Sequence, residues 1–287
     1  MSRSRLADAL WRHPRAQLGL LLAGPVGWLV VAYLGSLAVL FAAAFWHLDT
    51  FSGSIQQGFS LENFQTLVEE PVYGNIVLRT VAIAAAVTVT DAVLALPIAF
   101  FMAKVARKRS RALLVVSVLL PLWSSYLVKV YAWRTILQED GILNWALAPF
   151  GLHGPGFGNV ATWLVFSYLW LPYMIVPIYA GLERIPNSLL DASGDLGGGP
   201  GLTFRRVVLP LALPAVVAGS IFTFSLTLGD YITPTLVSST QFIGNVVYAN
   251  VGTANNLPLA AAFATVPVVI MIGYLLVARR LGAFEEL

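Results

Sequence analysis

Long apolar runs and short polar connectors alternate along the whole length of this chain. A helix needs about 20 apolar residues to cross a hydrocarbon core. Six runs reach that length, at approximately 18–46, 74–103, 112–134, 159–182, 208–229 and 258–278. The third is the least clean, because Lys129 and Arg134 lie near its far end. The first is far longer than the roughly 7–15-residue apolar core of a secretory signal, which predicts a retained helix. The pattern predicts an all-α polytopic membrane protein with six transmembrane helices. They form one domain over 18–280, flanked by tails at 1–17 and 281–287.

Composition supports the same reading. Of 287 residues, 58% are hydrophobic and 11% charged, against about 25% charged in an average soluble domain. There is no cysteine, which excludes disulfides, thiolate metal sites and Cys nucleophiles. Charge matters through its placement. Arg3, Arg5, Arg12 and Arg15 precede the first run, and Lys104, Arg107, Lys108, Arg109 and Arg111 follow the second. Arg184, Arg205 and Arg206 follow the fourth, Arg279 and Arg280 the sixth, and the other three connectors hold no Lys or Arg. By the positive-inside rule both termini are cytoplasmic, and the first, third and fifth connectors face outward. The run KVARKRSR flanks a span, so anionic lipid headgroups and orientation explain it better than nucleic acid does.

The connector after the fourth run contains DASGDLGGGPGLTFRRVVLP, a glycine cluster between carboxylates and an Arg pair. A phosphate-binding loop needs G-x-x-x-x-G-K-[ST]. This segment has neither the Lys nor the hydroxyl at those places, and no strand precedes it as a dinucleotide fingerprint requires. Leu189, Ala192 and Leu196 instead fall at helical spacing, with Asp191 and Asp195 beside them. Gly197 to Gly201, with Pro200, are expected to break that helix before a second piece enters the membrane. The predicted object is a helix–break–helix knob over about 185–206 on the cytoplasmic face. An ordinary solvated loop is the plain alternative.

Within 191–210 the residues Asp191, Ala192, Ser193, Gly197 and Leu209-Pro210 resemble the E-A-A-x-x-x-G motif and closing hydrophobic-Pro pair of one family. That family is the membrane subunits of binding-protein-dependent (type I) ABC importers. Asp stands for Glu and Ser for the second Ala, and no gap is needed. The stretches LENFQTLVEEPVYGNIVLRTVAIAAAVTVTDAVLALPIAFFMAK and LLPLWSSYLVKVYAWRTILQEDGILNWAL are similar to its spermidine/putrescine subfamily, as are GDYITPTLV and FIGNVVYANV. The resemblance implies a permease core over about 72–280 in the bacterial cytoplasmic (inner) membrane, with the first helix at its periphery. It implies a coupling segment in which Asp191, Ala192, Ser193, Asp195, Leu196, Gly197 and Arg205 dock on an ATPase. The implied partners are a second, homologous permease, an ATPase dimer in the cytoplasm and an external substrate-binding protein. No cofactor is expected on this chain, and ATP and Mg belong to the partner ATPase. The chain itself is expected to do no chemistry. The expected cargo is a polyamine, with another small solute as the alternative and a stand-alone secondary transporter behind it.

Substrate contacts are sought among ionisable groups inside the membrane. Asp91 lies 13 residues before Lys104, about 20 Å along a helix. It is read either as a cation contact or as a carboxyl bonded to Thr88, Thr90 or a neighbouring helix, or simply protonated. Asp230 follows Gly229, with Pro234 four residues on, so a broken helix end is expected there. Beside Tyr231 it offers an ammonium group a charge pair, a cation–π contact and a helix C-terminal dipole. The alternative is an interfacial acid capping the loop. Trp123, Tyr126, Tyr131 and Trp133 form an aromatic group, read as an interfacial belt or as a gate for a flexible cation. Lys129 and Arg134 are expected to snorkel outward or to meet an acidic receptor rim. His13, His47 and His153 are scattered without partners at ligand spacing, so no metal site is expected.

Overall fold

A computed structural model of the chain describes residues 14–49 and 51–282. Arg3, Arg5 and Arg12 of the N-terminal tail, and positions 283–287 of the C-terminal tail, lie outside these. The first span joins α1 (Pro14–Trp28) to α2 (Gly35–Ala43) through a wide π turn at Leu29–Leu34. A two-residue hairpin, β1 (His47–Leu48) and β2 (Ile55–Gln56), precedes α3 (Glu62–Glu69). The second span is α4 (Pro71–Phe100), prolonged by a π turn at Phe101–Val105. Next come α5 (Lys108–Trp123), α6 (Tyr126–Leu137), α7 (Ile142–Leu147) and α8 (Asn159–Arg184). After α9 (Asn187–Asp195), α10 (Pro200–Thr203) runs through a π turn at Phe204–Val208 into α11 (Leu209–Gly229). The chain ends with α12 (Ile232–Val237), α13 (Ile243–Gly252) and α14 (Leu257–Arg280).

Among the described residues, five helices are long and apolar enough to span a membrane: Gln17–Ala43, Pro71–Val105, Asn159–Arg184, Pro200–Gly229 and Leu257–Arg280. The third span departs from the expected continuous helix over 112–134. It is broken into α5 and α6, which meet at 91°. Two serines cause the break. Ser124 donates to the Pro121 carbonyl through both its amide (3.3 Å) and its hydroxyl (2.8 Å), and Ser124 and Ser125 both take extended ψ values. Side chains that bond back to the preceding turn compete with the helical ladder. The Lys129 ammonium donates to the same Pro121 carbonyl at 3.0 Å. Lys129 therefore caps the end of α5, in place of the outward role expected for it.

Spans two, four and five form the core, with α4, α8 and α11 packed on one another. Toward the end bearing Lys104 and Arg111, Ala95, Ala99 and Met102 meet Met174, Ile178 and Leu182. Val87 packs with Phe166, Leu169 and Trp170, and Ala84 with Phe224 and Leu228. Small residues set the separations, as usual where helices pack inside lipid. A Cβ on Gly181 would lie 2.5 Å from that of Ala215, and one on Gly219 2.8 Å from Met174 Sδ. The first span is peripheral. Most of its described residues are exposed, and its end enters the packing through Leu40, Ala43 and Ala44, against Ala261 and Ala262.

The fifth connector, a plain loop in the sequence reading, carries α12 and α13. Its placement comes from α4. Arg79 Nη1 donates to the Gln241 carbonyl at 3.0 Å, and the buried Thr80 hydroxyl accepts from the Ile243 amide at 3.2 Å.

Candidate functional site

Two regions concern function. The first is where α11 ends and α6 begins. Gly229 closes α11 and Asp230 is extended, at φ −75° and ψ 131°. Asp230 Oδ1 accepts from the backbone amides of Ile232 (2.7 Å) and Thr233 (3.1 Å), satisfying two orphan donors of the short helix α12. Oδ2 accepts from the Thr233 hydroxyl at 3.2 Å and from the Tyr126 hydroxyl. The Tyr126 and Thr233 hydroxyls are themselves 2.7 Å apart. Tyr126 is the first residue of α6, just past the break in the third span, so one carboxylate ties two helix discontinuities together. Gly244 is needed beside them, since a Cβ there would sit 2.7 Å from the Asp230 carbonyl oxygen.

An open cavity of about 400 Å³ lies over this junction, lined by Tyr126, Trp170, Ser225, Leu226, Gly229, Asp230, Tyr231 and Ile232. The rings of Tyr126 and Trp170 stack at 6.0 Å, and Tyr231 stacks on Tyr248 at 4.6 Å. On the other side of Tyr231 a second cavity of about 340 Å³ reaches Tyr248 and Pro267. The first cavity thus offers aromatic faces, one carboxylate and no basic group. Its carboxylate points both oxygens at protein donors, so the loop-capping reading describes the Asp230 contacts better than an open helix C-terminus does.

Four sequence candidates separate from this place. Asp91 is fully buried in α4, and neither carboxylate oxygen has a hydrogen-bond partner. The expected threonine partners are engaged elsewhere: Thr88 donates to the Ala84 carbonyl at 2.7 Å, and Thr90 accepts from the Trp163 indole at 3.0 Å. Asp91 is absent from the lining of the cavity. Trp123 is 92% exposed at the end of α5, away from that lining. Of its expected aromatic companions, Tyr131 is exposed and Trp133 packs on Tyr168 at 5.4 Å. Trp170 is the aromatic lining residue the sequence reading missed, for it reads as one more apolar position inside the fourth run.

The second region is the connector from α8 to α11, where a helix, a break and a second helix do follow one another. The break is tightly specified. Gly197 has φ +80°; its amide donates to the Gly194 carbonyl and that of Gly198 to Ser193, each at 2.8 Å. This pair of bonds is a Schellman termination, which favours glycine at its left-handed residue. Ser193 and Thr203 bond at 2.8 Å through their hydroxyls, closing the knob. Leu190 and Phe204 pack against the core, Phe204 edge-on to Phe100 at 5.8 Å. The face with Leu189, Ala192 and Leu196, expected to be the apolar side of α9, points away from the protein. Leu196 is 90% exposed, and Asp191, Asp195, Gly197 and Arg205 are exposed with it.

Polar bonds fix this connector at its root. Lys104, in the last turn of the second span, donates to the Ile185 carbonyl at 2.5 Å and contacts Asn187 Oδ1 at 3.4 Å. Arg111 donates to the Ala103 carbonyl at 2.9 Å and pairs with Glu183 at 3.4 Å. Both basic residues read from sequence as orientation signals, because nothing local reveals partners some 80 positions away.

Residues 84–283 match the family described as binding-protein-dependent transport system inner membrane component. The inner membrane ABC transporter permease protein YdcU of Escherichia coli is 44% identical over 299 residues, covering 99% of this chain and 95% of the relative. The spermidine/putrescine transport system permease protein PotB of Haemophilus influenzae is 30% identical over 209 residues, covering 71% of this chain and 72% of the relative. In fold, the chain is similar to a subunit of a bacterial alginate ABC transporter solved with an alginate pentasaccharide-bound periplasmic protein. That match has a TM-score of 0.74 at 16% identity, and covers 96% of each chain.

Proposed function

This chain belongs to the family of binding-protein-dependent transport system inner membrane components, and from that premise we propose that it carries small organic cations of the polyamine type inward. It is a multi-pass permease subunit of an ABC importer in a bacterial inner membrane, with ATP hydrolysis on a separate subunit. The proposal concerns cargo, orientation and partners. One observation carries the cargo reading: the cavity at the α6/α11 junction is walled by Tyr126, Trp170 and Tyr231 around Asp230, with no basic residue in its lining. Aromatic faces attract an ammonium group by about 0.5–2 kcal/mol each, and more as water is excluded. The relative named for spermidine and putrescine supports the same class.

A second reading, a permease for another small solute, has its own support. The Asp230 oxygens already accept four hydrogen bonds from the protein. On that reading Asp230 is a structural latch rather than a cation contact.

The end of the molecule bearing Lys104, Arg111, Arg205 and Arg206 faces the cytoplasm in this account, as the positive-inside rule favours. The outward face of α9 and the turn after it form the dock for an ATPase dimer. Leu196 supplies an apolar contact there, and Asp191, Asp195 and Arg205 supply charge. ATP and Mg are bound by that partner. A second permease of the same family and an external binding protein complete the assembly, with nucleotide binding shifting the population between inward-open and outward-open arrangements.

Uptake of radiolabelled putrescine and spermidine into vesicles holding the full complex tests the cargo. Competition by polyamines, and a loss of uptake with Asp230→Asn that leaves ATPase association intact, is the expected result. Uptake that polyamines do not compete for removes the polyamine reading. Equal uptake by parent and variant removes Asp230 from the pathway.

A further inference from the structure

The fourth span and the knob are joined by only two residues, Ile185 and Pro186, both extended, at ψ 120° and 140°. Such a joint has little stiffness of its own. Proline brings no amide to it, and the last carbonyls of α8 have no helical N–H to accept from. Yet the structure locks it. The Lys104 ammonium reaches across from the second span to the Ile185 carbonyl on one side of Pro186 and to the Asn187 side chain on the other. A cation at a helix C-terminus is favoured electrostatically as well as by its hydrogen bonds.

The surroundings show why this contact matters mechanically. α9 and its joint are held to the core by the buried Ile185 side chain, by Leu190 and by the Phe204 ring, with Ser193–Thr203 closing the knob itself. Its outer face is free. A sideways force on α9 therefore reaches the fourth span directly, along the chain, but reaches the second span through Phe100–Phe204 packing and through Lys104. Arg111 makes the matching tie one layer further in, from the Ala103 carbonyl of the second span to Glu183 of the fourth. Glu183 also accepts from the Tyr179 hydroxyl at 3.2 Å. Second and fourth spans are thereby linked at the point where α9 begins.

We infer that Lys104 is a positioning residue that sets the angle of α9 against the second span, so that movement of the docked knob is passed to two core helices instead of one. The inference rests on the reading of α9 as the ATPase dock. Removing the ammonium while keeping the stem, as in Lys104→Met, leaves the docking face intact and frees the joint. Motion of the ATPase then turns α9 about Ile185–Pro186, and only the Phe100–Phe204 packing and the contact between the spans themselves pass any of it to the second span.

The experiment uses the full complex in vesicles and measures ATPase association, ATP hydrolysis and solute uptake together. Lys104→Met is expected to keep association and hydrolysis while the ATP consumed per solute moved rises about tenfold, the scale of one charged hydrogen bond. Lys104→Arg, which still presents donors to both acceptors, is expected to restore the parent ratio. Spin labels on Ser188→Cys and Val105→Cys, the latter exposed at the end of the second span and both introduced into a chain with no cysteine of its own, are expected to show a broadened distance distribution in Lys104→Met alone. An unchanged ratio in Lys104→Met overturns the inference. So does a parallel fall of association, hydrolysis and uptake, which marks general misfolding. If the parent chain binds no ATPase at all, the docking reading fails instead.

Discussion

Four glycines fall between Gly197 and Gly201, and their requirements differ enough to be separated one at a time. Gly197 has φ +80°. A side chain in that left-handed region costs about 1–2 kcal/mol, offset by roughly 0.4–1 kcal/mol from a stiffer unfolded chain. Gly197→Ala therefore destabilises the helix end by about 1 kcal/mol, roughly a fivefold shift. Gly198 is worse placed. A Cβ there would lie 2.6 Å from both the carbonyl oxygen and the hydroxyl of Ser193. That carbonyl accepts the Gly198 amide, and that hydroxyl holds Thr203. Relieving the overlap costs about 1–3 kcal/mol and breaks a bond of about 1 kcal/mol, so the fall is tenfold or more. Gly199 and Gly201 have open space around a Cβ and no positive φ. Alanine is expected to be neutral at Gly199 and slightly stabilising at Gly201, in the first turn of α10. Titrating the ATPase subunit onto each purified variant, with affinity measured by calorimetry, reads the series. The expected order is parent, Gly199→Ala and Gly201→Ala together, then Gly197→Ala, then Gly198→Ala. Equal losses at all four positions, or a loss confined to Gly199→Ala, would refute the reasoning.

Two further outcomes follow from the junction and from α4. Tyr126→Phe removes a charge-assisted donor from Asp230 and is expected to lower stability by about 1.5–3 kcal/mol, read as a lower midpoint of thermal unfolding in detergent; an unchanged midpoint contradicts the latch. Asp91→Leu replaces a buried carboxyl that has no hydrogen-bond partner. It is expected to raise stability by roughly 1–3 kcal/mol with uptake retained, whereas a folded variant without uptake would make Asp91 a pathway residue.

The spans were legible because lipid demands long apolar runs, and the positions at 159–182 and 258–278 lie within a few residues of α8 and α14. The break in the third span was not, since Ser124 and Ser125 change hydropathy little, and Ser124 acts through bonds back to Pro121. At the knob, helical spacing grouped Leu189, Ala192 and Leu196 on one face, which the structure leaves exposed. Leu190 and Phe204 take the inward role because α9 lies against the end of α4, a neighbour that no local pattern names. Asp230 was visible as a carboxylate at a helix end. Its bonds to the Ile232 and Thr233 amides and the Thr233 hydroxyl are local, whereas the Tyr126 bond depends on the broken third span folding back beside it and needed the assembled structure.

The central claim is that this permease moves solute only when its α9 knob is held by an ATPase. Replacing the Leu196–Gly199 turn by a flexible Ser-rich linker of equal length, in the full complex, tests it most directly. ATP-driven uptake and co-purification of the ATPase are both measured. The account predicts that the parent retains the ATPase and accumulates solute, and that the replacement loses both while its six spans remain inserted. Accumulation at the parent rate with no ATPase bound would contradict it.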